Sequence, residues 1–296
     1  MKLVGRTVTA RCGGRSMEMI ILKPERQDGP LPGILWIHGG GYRLGMAGMV
    51  HASCAKLLAK KFGAVVIAPE YRLAGGSGGA PYPAALRDCH AALRFLYANA
   101  EKLGILPDRI IVGGESAGGG LAAALCLYER DRGGIPVAYQ LPLYPMLDCE
   151  DTDSSRDNHG RVWNTKRNHW GWQGYLGGLY GTDRVPKYAS PARETDLTGM
   201  PPAYTFVSAG EPFRDETLTY IRRLREAGTD AFADVYPGNV HAFDMLLPWT
   251  KNARAAKSRL CEVYASVLRA WEREDAVEAA DTAEAETKAA NAAAGE

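Results

Sequence analysis

Six short runs rich in branched apolar residues alternate with segments of helical spacing, and this alternation limits the fold more than any other feature of the chain. The runs lie at 33–40, 64–71, 109–116, 140–147, 203–210 and 231–238, and the helical segments at 51–62, 83–98, 117–130 and 215–227. In the second of these segments Leu86, Cys89, Ala92, Leu93 and Leu96 recur at three- and four-residue intervals, which gives a single apolar face. Strands alternating with helices of this length predict an α/β fold, a mostly parallel sheet with helices on both faces. Two runs near the start, at 2–10 and 17–23, predict an antiparallel edge.

The spacing breaks twice. Residues 148–200 are rich in Asp, Ser and Asn turns and hold Trp163, Trp170 and Trp172, which reads as a small helical cap inserted in an α/β domain spanning 1–274. From 275 to 296 the chain is rich in alanine and acid, with a net charge of about −5, and reads as a solvated, disordered tail.

Charge excludes several classes of partner. Lys+Arg number 35 against 34 Asp+Glu, so no global field recruits nucleic acid or an anionic membrane. No apolar run approaches the roughly 20 residues of a membrane span. The first residues lack the continuous apolar core of a secretory signal, so the expected location is cytoplasmic. The six cysteines (12, 54, 89, 126, 149 and 261) form no CxxC pair and read as buried thiols.

Residues 114–118 read Gly-Glu-Ser-Ala-Gly, directly after a strand-like run and directly before a helical one. A nucleophilic serine on a tight strand-to-helix turn needs this context, with small residues either side to admit backbone and substrate. The pattern recurs around Ser77, between Gly75 and Gly79, but with no strand before it and no helix after it. Ser77 is therefore set aside. Residues 38–41 read His-Gly-Gly-Gly at the end of the first long run. Such a glycine run can turn backbone N–H groups toward a developing oxyanion. The amides of Gly40 and Gly41, with that of Ala117, make the candidate oxyanion hole.

A serine nucleophile needs a base. Of six histidines, His38 belongs to the glycine loop, and His51 and His90 sit in helical patterns. His159 and His169 lie in the cap without a third ligand at useful spacing, so no metal site is expected. His241 follows the last run late in the chain, where the order nucleophile, acid, histidine places its base. Glu211, just after the run at 203–210, is the first candidate for the orienting acid. Asp215, better suited to cap the next helix, and Asp244, three residues from His241, are the alternatives.

His-Gly-Gly-Gly, Gly-Glu-Ser-Ala-Gly-Gly and the order Ser116, Glu211, His241, with the flanking "YRLA", "YPAALRD" and "YPMLD", resemble the hormone-sensitive-lipase-like family of α/β-hydrolases. The resemblance runs from about 31 to 247. It implies cofactor-free hydrolysis of small-molecule carboxylic esters, with Ser116 as nucleophile, His241 as base and acid, and Gly40, Gly41 and Ala117 around the oxyanion. Short acyl chains are the expected substrates. Deacetylation of a sugar or xenobiotic ester is the alternative, and a noncatalytic ligand-binding role or amide cleavage stand further off. Trp163, Trp170 and Trp172 are candidates to line the substrate pocket, with packing inside the cap as the plainer reading.

The chain departs from the family pattern in three places. Glu211 stands where Asp is usual, Glu115 precedes the nucleophile where Asp or Thr is usual, and only 37 residues precede the glycine loop. The last implies that the N-terminal half of the lid is missing. An exposed sheet edge allows a homodimer.

Overall fold

The computed structural model describes residues 1–12, 14–76 and 78–293. Eight strands form one sheet: β1 (Leu3–Cys12), β2 (Arg15–Pro24), β3 (Leu31–Ile37), β4 (Val65–Pro69), β5 (Ile105–Glu115), β6 (Tyr139–Leu143), β7 (Ala203–Ser208) and β8 (Ala231–Tyr236). Their order across the sheet is β1-β2-β4-β3-β5-β6-β7-β8. β1 and β2 form the expected antiparallel edge, and β2 pairs antiparallel to β4. From β4 to β8 every neighbouring pair is parallel. β4 is buried at every residue and β3 from Pro32 onward, as a parallel sheet covered on both faces requires.

The helices in chain order are α1 (Cys54–Phe62), α2 (Ala84–Ala98), α3 (Ala100–Leu103), α4 (Ala117–Arg132), α5 (Asp153–Arg156), α6 (Thr165–Leu176), α7 (Arg214–Glu226), α8 (Phe243–Leu246) and α9 (Lys251–Ala293). α1 starts three residues later than its spacing predicts, because the Ser53 hydroxyl caps it by accepting from the Lys56 amide at 3.4 Å. α2 buries the predicted stripe of Leu86, Cys89, Ala92, Leu93 and Leu96. α4 is buried nearly all round from Ala117 to Leu127, and so carries no amphipathic signal to read.

Two expectations need correction. The run at 140–147 is a strand only to Leu143, because Pro142 and Pro145 lack the N–H that a continued ladder would need and Tyr144 turns at φ +34°. The segment read as a disordered tail from 275 is helical to Ala293, as the last part of α9. Alanine and glutamate are strong helix formers, and extending an existing helix avoids the nucleation cost that an isolated segment would bear. Residues 272–282 are exposed throughout, in keeping with a solvated surface. The chain divides into two compact units, Met1–Ala256 and Lys257–Glu296.

Within 148–200, α5, α6 and two short 3-10 turns make up the cap. α6 begins where the Asn164 side chain accepts from the Arg167 amide at 3.0 Å. Its Gly171 lies against the carbonyl of Gly41 and the end of Met146, which sets the helix directly on the glycine loop. Cys54, Cys89, Cys126 and Cys261 are buried thiols and Cys149 is a half-buried one, none of them joined in a disulfide. The Cys12 side chain lies outside the described residues.

Candidate active site

Ser116 stands between the last residue of β5 and the first of α4. Its backbone is at φ +56° and ψ −120°, a conformation that costs an L residue on the order of 1–3 kcal/mol. The surrounding chain holds it there: the Ser116 amide donates to Leu143 O at 3.0 Å, and its carbonyl accepts from Gly120 and Met146 at 3.0 Å each. Gly118 is needed for space, because a Cβ there would collide with the carbonyl oxygens of Ile37 and His38 on β3 and the glycine loop.

The three expected residues come together although 95 residues separate Ser116 from Glu211 in sequence. Ser116 Oγ lies 2.9 Å from His241 Nε2, and His241 Nδ1 lies 2.7 Å from Glu211 Oε2. The carboxylate accepts from Nδ1–H, which leaves Nε2 as the acceptor for the serine proton. Glu211 is fully buried, and its other oxygen accepts from the Ser208 amide at 3.3 Å. Burial pushes the Glu211 carboxyl up, while the adjacent imidazole opposes it. Phe213 and Tyr144 meet the His241 ring edge-on at centroid distances of 5.0 and 5.1 Å, which fixes the plane of the imidazole. Neither was legible in the sequence, since each owes its place to a turn rather than to a motif.

The alternative acids lie elsewhere. Asp215 is inside the first turn of α7 rather than at its cap, and its carboxylate accepts from the Ser154 amide at 2.8 Å and from Arg214. Asp244 is buried and accepts from Cys54 Sγ at 3.4 Å. Glu115, beside the nucleophile, points away from the histidine and accepts the indole N–H of Trp36 at 2.8 Å. Burial pushes its carboxyl well up, with the Asp244 charge adding to the effect and the Trp36 hydrogen bond opposing it.

Gly40 and Gly41 both have positive φ, at +122° and +59°. The Gly40 carbonyl accepts from Arg43 and Leu44 at 3.1 and 3.0 Å, which closes the loop into a tight turn. Among the described residues no acceptor within the protein takes the Gly40 or Gly41 amide. Ala117 is the first residue of α4, where an amide has no partner within its own helix.

The three tryptophans separate. Trp163 lies against Gly41, where a Cβ would strike its indole, and its ring is 6.4 Å from both His241 and Phe213. Trp172 is wholly buried in the cap against Tyr42 and Tyr175, away from the triad residues. Trp170 is 37% exposed, with the Arg43 guanidinium 4.2 Å from its ring centroid. Of the cap histidines, His169 bonds Asp151 at 2.8 Å and His159 bonds Asp157 at 3.1 Å. Among the described residues no group of three His, Cys, Asp or Glu side chains is placed to hold a metal ion, and no helix is long and apolar enough to cross a membrane. Ser77 lies outside the described residues.

Known proteins share this frame. The profile of an α/β-hydrolase-fold family matches residues 34–245. A carboxylesterase of Mycobacterium tuberculosis, NlhH, is 34% identical over 217 residues, which cover 72% of this chain and 66% of that protein, just under two thirds of its length. An acetyl-hydrolase of Streptomyces hygroscopicus is 32% identical over 251 residues, covering 84% of this chain and 78% of that one. Among solved structures, a bacterial heroin esterase superposes with a TM-score of 0.82 at 36% identity, covering 88% of this chain and 83% of that chain. Family profile, sheet order and the turn at Ser116 agree: the chain belongs to the α/β-hydrolases, in their hormone-sensitive-lipase-like branch.

Proposed function

We propose that the protein is a cofactor-free serine carboxylesterase acting on esters of short acyl groups, acetyl foremost. The observation that carries this reading is the continuous hydrogen-bonded line from Ser116 Oγ through His241 to Glu211. In the first half-reaction Ser116 Oγ attacks the ester carbonyl carbon while His241 Nε2 takes its proton. The carbonyl oxygen becomes an oxyanion beside the amides of Gly40, Gly41 and Ala117. When the C–O bond to the alcohol breaks, His241 returns the proton to the leaving oxygen. Water, activated by the same imidazole, then hydrolyses the acyl-enzyme. Glu211 fixes the tautomer and stabilises the imidazolium.

The acyl preference rests on Trp163, whose indole presses on Gly41 and faces His241. A ring in that position walls the space beside the nucleophile, and Ser116 itself is only 6% exposed. The names of the acetyl-hydrolase and heroin esterase relatives agree with a small acyl group. Leu44, Met46, Leu246 and Trp249, on the segments leaving the glycine loop and His241, are all about half exposed or more, and an alcohol group directed toward them would meet an open, apolar surface. A homodimer through a terminal strand remains part of this reading, with Phe232 and Val235 exposed on β8.

Initial rates on p-nitrophenyl esters from acetyl to palmitoyl test the proposal. It predicts the highest kcat/KM at acetyl or propionyl, falling steeply with chain length. Trp163→Ala should raise the value for butyryl and longer esters by about ten-fold or more relative to acetyl, because each accommodated methylene is worth about 1–3 kcal/mol. A maximum at long chains in the unaltered protein would overturn the short-acyl reading.

A further inference from the structure

A charged pocket lies on the outer face of α2, lined by none of Ser116, Glu211 and His241. It has a volume of about 600 Å³ and is bounded by α2 and the turn end of β1. Arg87, His90, Arg94 and Ala98 of α2 recur at three- and four-residue intervals, so they form one stripe, with Phe95 beside it, and Arg11 of β1 also lines the pocket. No Asp or Glu lines this pocket among the described residues.

An ordinary solvent-facing stripe mixes both signs of charge. Here the one acid of α2, Asp88, is already committed: it is bonded by Arg72 at 2.8 Å and by Arg15 at 3.1 Å. Arg11, Arg87 and Arg94 make no side-chain hydrogen bond or ion pair among the described residues. Three guanidinium groups thus converge uncompensated on one concavity in a chain whose net charge is only +1. An anion placed among them would relieve their mutual repulsion.

His90 makes this more than a patch of surface arginines. Its Nδ1 bonds Glu129 Oε1 at 2.5 Å, and Glu129 is buried and also accepts the Ile135 amide at 2.9 Å. A buried carboxylate therefore fixes the ring, and with it the α2 wall of the pocket between Arg87 and Arg94.

We propose that this pocket binds a phosphate group, free or esterified, clamped by Arg11, Arg87 and Arg94, with His90 as part of its wall. Guanidinium forks match phosphate oxygens two at a time, and three of them suit a dianion better than a single carboxylate. The volume exceeds what inorganic phosphate fills, and the Phe95 ring and Ala98 supply an apolar wall for an organic remainder.

Titration calorimetry on the full chain tests this, with inorganic phosphate, adenosine 5′-monophosphate and adenosine as probes at low salt. The expected result is saturable one-to-one binding of a phosphate-bearing probe, weakened about ten-fold in each of Arg87→Ala and Arg94→Ala, with the rate of ester hydrolysis unchanged. Tighter binding of the nucleotide than of inorganic phosphate assigns the site to an organic phosphate, and equal affinity assigns it to the free ion. The proposal is overturned by no saturable binding of either phosphate probe, by equal binding of adenosine, or by undiminished affinity in both arginine variants.

Discussion

At the scale of single residues, chemistry at this site depends on side chains held in states that water would not favour. Ser116 occupies a positive φ, Glu211 is a fully buried carboxylate, and its one strong partner is the imidazole that it orients. Glu211→Gln preserves shape but offers the imidazole an amide in place of a charge. The account expects kcat to fall by about 10³–10⁴-fold with little change in KM, measured by steady-state kinetics. His38, in the glycine loop, is pushed from 6.5 down to about 4 by burial, against the hydrogen bond from its Nδ1 to Gly39 O. The unfolded chain therefore takes up a proton between pH 6.5 and 4 that the folded chain refuses. Stability falls as pH drops through that window, by up to about 3 kcal/mol from this group. Urea unfolding at both ends of the window should show a smaller difference in His38→Gln than in the unaltered protein.

Elements fix these residues in place, and here sequence and structure part in instructive ways. The turn at Ser116 was legible because strand, glycines and helix are contiguous, so local pattern and tertiary position coincide at residues 114–118. Glu211 and His241 were legible from chain order after two strands. What escaped was whatever depends on contact between distant segments. The separation of Trp163 from Trp170 and Trp172 follows from how α6 lies on the glycine loop, which spacing within the cap does not encode. The distal end of the cap is pinned by another such contact: Asp131, at the end of α4, is 2.7 Å from Lys187, which is 2.5 Å from Glu194. Burial pushes Asp131 up, and hydrogen bonds from Lys187, Tyr188 and Arg130 outweigh it, holding the carboxyl at about 2. A carboxylate lowered in this way stabilises the fold above its ordinary value of 3.8, and that contribution is lost as pH falls through 2. Asp131→Asn should lower stability at neutral pH by on the order of 1 kcal/mol or less and flatten the acid side of the Tm profile.

For the molecule as a whole, an unbroken parallel sheet from β4 to β8 presents the carboxyl ends of its strands as one platform. Ser116 follows β5, Glu211 follows β7, His241 follows β8 and the glycine loop follows β3. Four strand ends thus deliver Ser116, Glu211, His241 and the glycine loop to one side of the sheet, as open α/β sheets do with their ligands. The central claim is that Ser116 attacks the ester carbonyl. Its most direct test is the initial rate on p-nitrophenyl acetate for the unaltered protein and for Ser116→Ala, with circular dichroism to establish that both are folded. The account predicts rapid turnover that falls by at least about 10⁴-fold in the variant. Turnover retained in a folded Ser116→Ala protein would contradict it.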